Sequence, residues 1–239
     1  MCSGVVRATT SVATKLLTAP SIPLADLDSE RAALLALRSS IDGRTLFWNT
    51  TKQTPCNWVD VQCEDHRVVE LHLPSAALSS QIPTNIFSNP THLHTLSLRF
   101  NSLTGSLPSD LVSCVNLRNF YLQRNLFSSG IPHFIFNLPD LVRLNMGFNN
   151  FSCPISTSFN NFTRLKTLYL KNNHLSGSIP ELTRLSLDQF NVSNNVLNDY
   201  VPFKLQTFPQ DSFLGNSLCV HHFLFALVPT QTIHLLYLL

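Results

Sequence analysis

The chain has 239 residues, of which 44% are hydrophobic and 13% charged, and it carries a formal net charge of +2. It is long enough to bury a sizeable core and too apolar for a disordered tail, and its near-neutral balance gives no reason to expect nucleic acid as a partner. Forty leucines and 21 asparagines against seven glycines point to a repeat in which leucine fills an interior and asparagine closes turns.

Residues 1–25 hold Arg7 and Lys15, many serines and threonines, and no acid before Asp26. Their apolar residues come only in pairs, Val5-Val6 and Leu16-Leu17, so the apolar run of a secretory signal is missing. This stretch is a poorly defined leader, open between a transit peptide, a secretory leader and an unstructured start. Residues 26–68 read as a cap. Asp28 is the expected helix N-cap for residues 29–40, with Leu34, Leu35, Leu37 and Ile41 as the apolar stripe. The run Pro55-Cys56-Asn57-Trp58-Val59-Asp60-Val61-Gln62-Cys63 follows. A reduced pair or half a zinc site is open on the residues alone, although no second cysteine pair and no suitably spaced histidines accompany it.

Residues 69–202 are the repeat. Leu96, Leu98, Asn101 and Leu103 align with Phe120, Leu122, Asn125 and Phe127, then Leu144, Met146, Asn149 and Phe151, then Leu168, Leu170, Asn173 and Leu175. The asparagines stand 24 residues apart, and a fifth copy with Phe190, Val192, Asn195 and Leu197 follows after 22. An earlier, degenerate copy has Leu71, Leu73 and Leu78 but Ala76 in the asparagine slot, giving about six coils. In an extended segment Leu96 and Leu98 point to one side and Ser97 and Arg99 to the other, so each copy lays one strand with a core side and a solvent side. The asparagine amide can donate to and accept from the adjacent coil, satisfying backbone groups that the turn would otherwise bury unpaired. Residues 220–239 form an apolar tail. Its apolar stretch, from Phe223 to Leu239, is interrupted by Pro229, Gln231 and His234 and stops short of the roughly 20 residues of a spanning helix, so a weak anchor is the most it suggests.

After each asparagine the sequence tends to Leu-x-Gly-x-Ile-Pro, as in Leu103, Gly105, Leu107, Pro108 and in Leu175, Gly177, Ile179, Pro180. With the 24-residue period and the flanking cap sequences, this resembles the leucine-rich repeats of plant receptor-like kinases, including those with inactive kinases, over about residues 26–219. The resemblance implies an α/β fold: a leucine-rich-repeat solenoid, curved into a horseshoe, with an inner parallel sheet and a helical N-terminal cap. It also implies a disulfide between Cys56 and Cys63, with Trp58 packed over the first coil. Residues 203–219 resemble an incomplete C-terminal cap, Cys219 lacking its second cysteine. The glycine slot holds Ser80, Ser129, Cys153 and Asp199, and Ser156 stands where proline belongs, so local irregularity is expected in those coils. Cys114 and Cys153 are expected to be free thiols.

No phosphate-cradling glycine loop, His-Glu-x-x-His or serine elbow is present, and His92 with His94 reads as a strand edge. The kinase motifs of the resembled family are absent as well, and no cofactor or metal is expected, so the chain reads as a non-enzyme. Asn49, Asn150, Asn161 and Asn191 stand in Asn-x-Ser/Thr contexts, and the resemblance places the chain outside the cell or at the plasma membrane as a glycoprotein. The expected ligand-binding face comprises Ser97, Arg99, Phe100, Tyr121, Gln123, Arg124, Arg143, Asn145, Phe148, Tyr169 and Lys171, in columns without an acid. Aromatic rings beside arginine are what interfaces enrich. The expected function is recognition of a peptide or protein, acidic in character, with a co-receptor completing the site. The alternative is a secreted inhibitor or decoy like those that block microbial cell-wall hydrolases.

Overall fold

The computed structural model describes residues 24–41, 46 and 48–219. The leader and the apolar tail lie largely outside the described residues, as does Cys2. Helix α1 spans Leu24–Ser40 and is followed by β1 (Val61–Glu64) and β2 (Arg67–His72). Each coil then contributes two short strands. These are β3 (Ser79–Gln81), β4 (Thr95–Ser97), β5 (Ser102–Gly105), β6 (Asn119–Tyr121), β7 (Leu126–Ser129), β8 (Arg143–Asn145) and β9 (Asn150–Pro154), then β10 (Thr167–Tyr169), β11 (His174–Gly177), β12 (Gln189–Asn191), β13 (Val196–Tyr200) and β14 (Ser217–Cys219).

Two seven-stranded sheets result. The first runs β1-β2-β4-β6-β8-β10-β12, with β1 antiparallel to β2 and every later neighbour parallel, so six coils line the inner side. In-register pairing puts Leu71, Leu96, Phe120, Leu144, Leu168 and Phe190 in one inward row, each 3% exposed or less. The second sheet, β3-β5-β7-β9-β11-β13-β14, lies on another side of the stack, and its linking pairs are parallel. It was not anticipated from the sequence, because its strands are three to five residues long and most bury a single apolar side chain, β3 (Ser-Ser-Gln) having none. Short 3-10 turns such as Ser109–Ser113, His133–Asn137 and Thr157–Asn161 close the remaining side, where Phe136 packs edge-on against Phe159, centroids 5.0 Å apart.

The asparagines form the ladder. Asn149 Nδ2 donates to Leu122 O of the preceding coil and to Met146 O of its own, while its Oδ1 accepts from Phe127 N. Asn101, Asn125, Asn173 and Asn195 repeat the pattern. Asn216 adds a further rung, donating to Val192 O and Phe213 O and accepting from Leu197 N, so the segment read as an incomplete cap continues the stack.

Two expectations need correction. Asp28 is no N-cap: α1 begins at Leu24, so Asp28 is an exposed residue inside the helix. The coils with substituted glycine slots are regular, because Ser80, Ser129, Cys153 and Asp199 take φ of 71–76°, the left-handed value of Gly105 and Gly177. Steric cost is accepted there in place of a change of path. Ser156 substitutes for proline by accepting the Ser158 N–H on its hydroxyl, which fixes the start of the 3-10 turn.

The cap is held in two ways. Cys56 and Cys63 form a disulfide with Cα atoms 5.5 Å apart, which removes the zinc alternative. Buried Trp58 stacks on Trp48 at 5.0 Å, and the two indole N–H groups donate to Asn49 O and Val59 O. The two cysteines are only seven residues apart, so the bridge restricts a short loop and contributes about 2–3 kcal/mol. Reduction is therefore expected to lower the urea midpoint, and a midpoint unmoved by dithiothreitol would show that the indole pair alone secures the cap. Among the described residues no helix is long and apolar enough to cross a membrane.

Candidate recognition face

Four rows of side chains line the inner sheet and the turns beyond it. The first holds Glu70, Thr95, Asn119, Arg143, Thr167 and Gln189, one from each strand. Thr95 Oγ1 donates to Glu70, Asn119 Nδ2 donates to Thr95 Oγ1, and Arg143 Nη1 donates to Asn119 Oδ1 at 3.0 Å. Glu70 is also 2.7 Å from His72 Nε2. The expectation that no acid projects from these strands is thus corrected: Glu70 heads the row, tied to Thr95 and to its own strand neighbour.

The next row is His72, Ser97, Tyr121, Asn145, Tyr169 and Asn191. Ser97 was expected to touch ligand, yet it is 2% exposed. Its short side chain stands between the larger His72 and Tyr121 of the same row and offers no surface. Tyr121 and Tyr169 are half-buried, and the Tyr169 hydroxyl donates to Gln189. Asn145 Oδ1 accepts from Gly147 N, so that side chain is engaged with its own turn.

Beyond the strands come Arg99, Gln123, Gly147, Lys171 and Ser193, then Phe100, Arg124, Phe148, Asn172 and Asn194. The last five all lie in the left-handed region, with φ between 54 and 60°. They belong to the turn rather than the strand, and each N–H there donates to the next coil, as from Phe100 to Gln123 O and from Phe148 to Lys171 O. Asparagine tolerates this conformation and bulky residues rarely adopt it. Arg124 Cζ lies 5.5 Å from the Phe100 ring centroid and 4.5 Å from that of Phe148, with Lys171 Nζ 5.5 Å from Phe148. A Cβ at Gly147 would press on the Lys171 carbonyl oxygen at 3.2 Å and its Cγ at 3.3 Å, so glycine leaves room for the lysine stem. Among the described residues, no acid pairs with Arg99, Arg124 or Lys171.

The sequons lie apart from most of this surface. Asn49, Asn150 and Asn161 are exposed, on the cap, at the start of β9 and on the 3-10 turn of the far side. Asn191 is half-buried on the inner sheet, its Oδ1 accepting from the backbone and hydroxyl of Ser193. Cys114 is buried against Phe87 O and Pro90 O; loss of hydration, and secondarily the Asp110 carboxylate, push its thiol up to about 12. Cys153 and Cys219 are exposed and unbridged.

Residues 27–64 match the leucine rich repeat N-terminal domain, and residues 92–114 and 164–185 match the leucine rich repeat. Across 85% of its length the chain is 55% identical to an Arabidopsis thaliana protein named "Probable inactive receptor kinase At1g48480". The chain is similar to the leucine-rich-repeat part of plant receptor-like kinases. It spans 31% of the length of that relative, and the same share of the A. thaliana "Probable inactive receptor kinase RLK902", to which it is 56% identical. Among solved structures, Pollen Receptor Kinase 3 matches 78% of this chain and 94% of its own, at 26% identity and a TM-score of 0.68. The ectodomain of the Arabidopsis receptor kinase HAESA, in complex with an N-terminally extended IDA peptide hormone, matches 82% of this chain and 42% of its own, at 25% identity and a TM-score of 0.60. The leucine-rich-repeat chain described here thus shares the stack of these receptors. The cation–aromatic contacts along its turns join side chains 23 or 24 residues apart and are visible only once the coils are stacked.

Proposed function

We propose that this ectodomain is a non-catalytic recognition module whose inner face takes a peptide or protein ligand of acidic character, outside the cell or at its plasma membrane. The observation that carries this reading is the imbalance of charge: Arg99, Arg124 and Lys171 stand on one surface without acidic partners among the described residues. Tyr121, Tyr169, Phe100 and Phe148 lie among them to supply apolar contact. Arg143 contributes less, since Asn119 already engages its guanidinium. A resemblance to a receptor ectodomain solved with a peptide hormone supports a peptide as ligand. Six coils offer a small area, so a single ligand binds modestly and a co-receptor that touches both ligand and ectodomain would complete the site. Glycans at Asn49, Asn150 and Asn161 would leave the inner face open.

The test is selection of a random peptide library on the immobilised chain. Enrichment of Asp and Glu is expected, and the double variant Arg99→Glu, Arg124→Glu is expected to turn the selection toward Lys and Arg. For a selected acidic peptide, Arg124→Glu should slow association, whereas Tyr121→Ala or Tyr169→Ala should mainly speed dissociation. Selection without charge preference, or unchanged by the double variant, overturns the assignment of the inner face.

A further inference from the structure

We propose that Phe100, Arg124 and Phe148, together with Lys171 reaching in from the adjacent row, make one composite row built for a polyproline II segment of the partner that carries a carboxylate at every third residue. The inference deepens the acidic-ligand reading above and rests on it.

The row alternates aromatic and cation along the stack. Its two cations lie 4.5 and 5.5 Å from the Phe148 centroid, so they stand at most about 10 Å apart. Its two rings lie 5.5 and 4.5 Å from the Arg124 Cζ, with the same limit. Two coil spacings give nearly the same repeat, at about 4.8 Å per strand. A polyproline II helix has three residues per turn and rises about 3.1 Å per residue, so every third side chain returns to the same side about 9.3 Å further on. A β-strand does not fit, because its residues three apart point to opposite sides. Carboxylates at that spacing meet Arg124 and Lys171, and the prolines between them meet the rings, as aromatic-lined grooves take such helices elsewhere.

Two features indicate that the row is kept for something other than the stability of the stack. Phe100, Arg124 and Phe148 hold φ of 59, 60 and 56°, where the last two coils place Asn172 and Asn194, and bulky side chains in that region cost free energy. Burial does not offset this at Phe100, which is 46% exposed. The rings flank the Arg124 guanidinium and hold it in place while its N–H edges remain available to a carboxylate.

The probe is a labelled (Glu-Pro-Pro)4 peptide titrated against the chain by fluorescence anisotropy. It is compared with an equal-composition peptide whose glutamates are clustered in adjacent pairs and with flexible (Glu-Gly-Ser)4. The in-register peptide is expected to bind at least ~10-fold more tightly than either. Arg124→Gln and Phe148→Asn are each expected to cost about tenfold or more, and Arg143→Gln little. Phe148→Asn places at that turn the residue which Asn172 and Asn194 already supply, so its melting temperature should equal or exceed that of the parent. A marked fall in melting temperature would mean that the rings serve the fold and overturns the proposal. Equal binding of the three peptides also overturns it. If (Glu-Pro-Pro)4 fails while library-selected acidic peptides still depend on Arg99 and Arg124, the row proposal falls and the inner-face reading stands. If neither binds, both fall.

Discussion

Replacing Glu30 with alanine is expected to lower the free energy of unfolding by about 3–5 kcal/mol. Glu30 is fully buried on α1, with Oε1 2.9 Å from Arg67 Nε and Oε2 accepting from Val68 N at 2.9 Å. The carboxylate therefore joins the cap helix to the first inner strand, 37 residues on. Alanine would leave the Arg67 charge, 11% exposed, without its carboxylate and the Val68 N–H without an acceptor. The cost lies in the buried charge losing its carboxylate and in the Val68 N–H losing its acceptor, rather than in the gross attraction of the pair. Replacing both Glu30 and Arg67 with methionine should accordingly recover much of the loss. Urea denaturation of the two variants checks this, and a double variant no more stable than Glu30→Ala would show that the pair contributes net attraction.

Asn149→Ala, in the middle of the ladder, is expected to cost about 2–3 kcal/mol, being the other large effect. The amide is 5% exposed and serves Leu122 O, Met146 O and Gly147 O while accepting from Phe127 N. A buried backbone group left without a partner costs about 1–3 kcal/mol. Phe127 N–H loses the Asn149 acceptor, while Leu122 O, Met146 O and Gly147 O each lose one of two donors and keep Asn125 Nδ2, Asn173 Nδ2 and Arg124 N. Asn216→Ala at the last described rung should cost less, since that residue is only half-buried and water can replace its bonds. Equal losses at Asn149 and Asn216 would mean that the ladder acts through backbone conformation instead of satisfied hydrogen bonds.

Much of this molecule was legible residue by residue. The 24-residue recurrence of leucine and asparagine is local information: alternation decides which side of a strand is apolar, and an asparagine after it decides where the chain turns. Stacking follows, because one coil cannot bury its own leucines and its neighbour can. The glycine slots were legible as positions, and left-handed backbone there is demanded by the path of the coil, so Ser129 and Cys153 conform to it.

What the stack alone decided are the relations between residues in different coils. Ser97 alternates outward like Tyr121, yet it is covered because of what stands beside it one coil away. Glu70 heads the inner row by register with Thr95, and Glu30 finds Arg67 across the cap. Arg124 lies between two rings drawn from the coils before and after it. Periodicity in the sequence places a side chain on a face; which neighbours occupy that face, and at what distance, is set when parallel strands bring residues 24 apart to within about 4.8 Å.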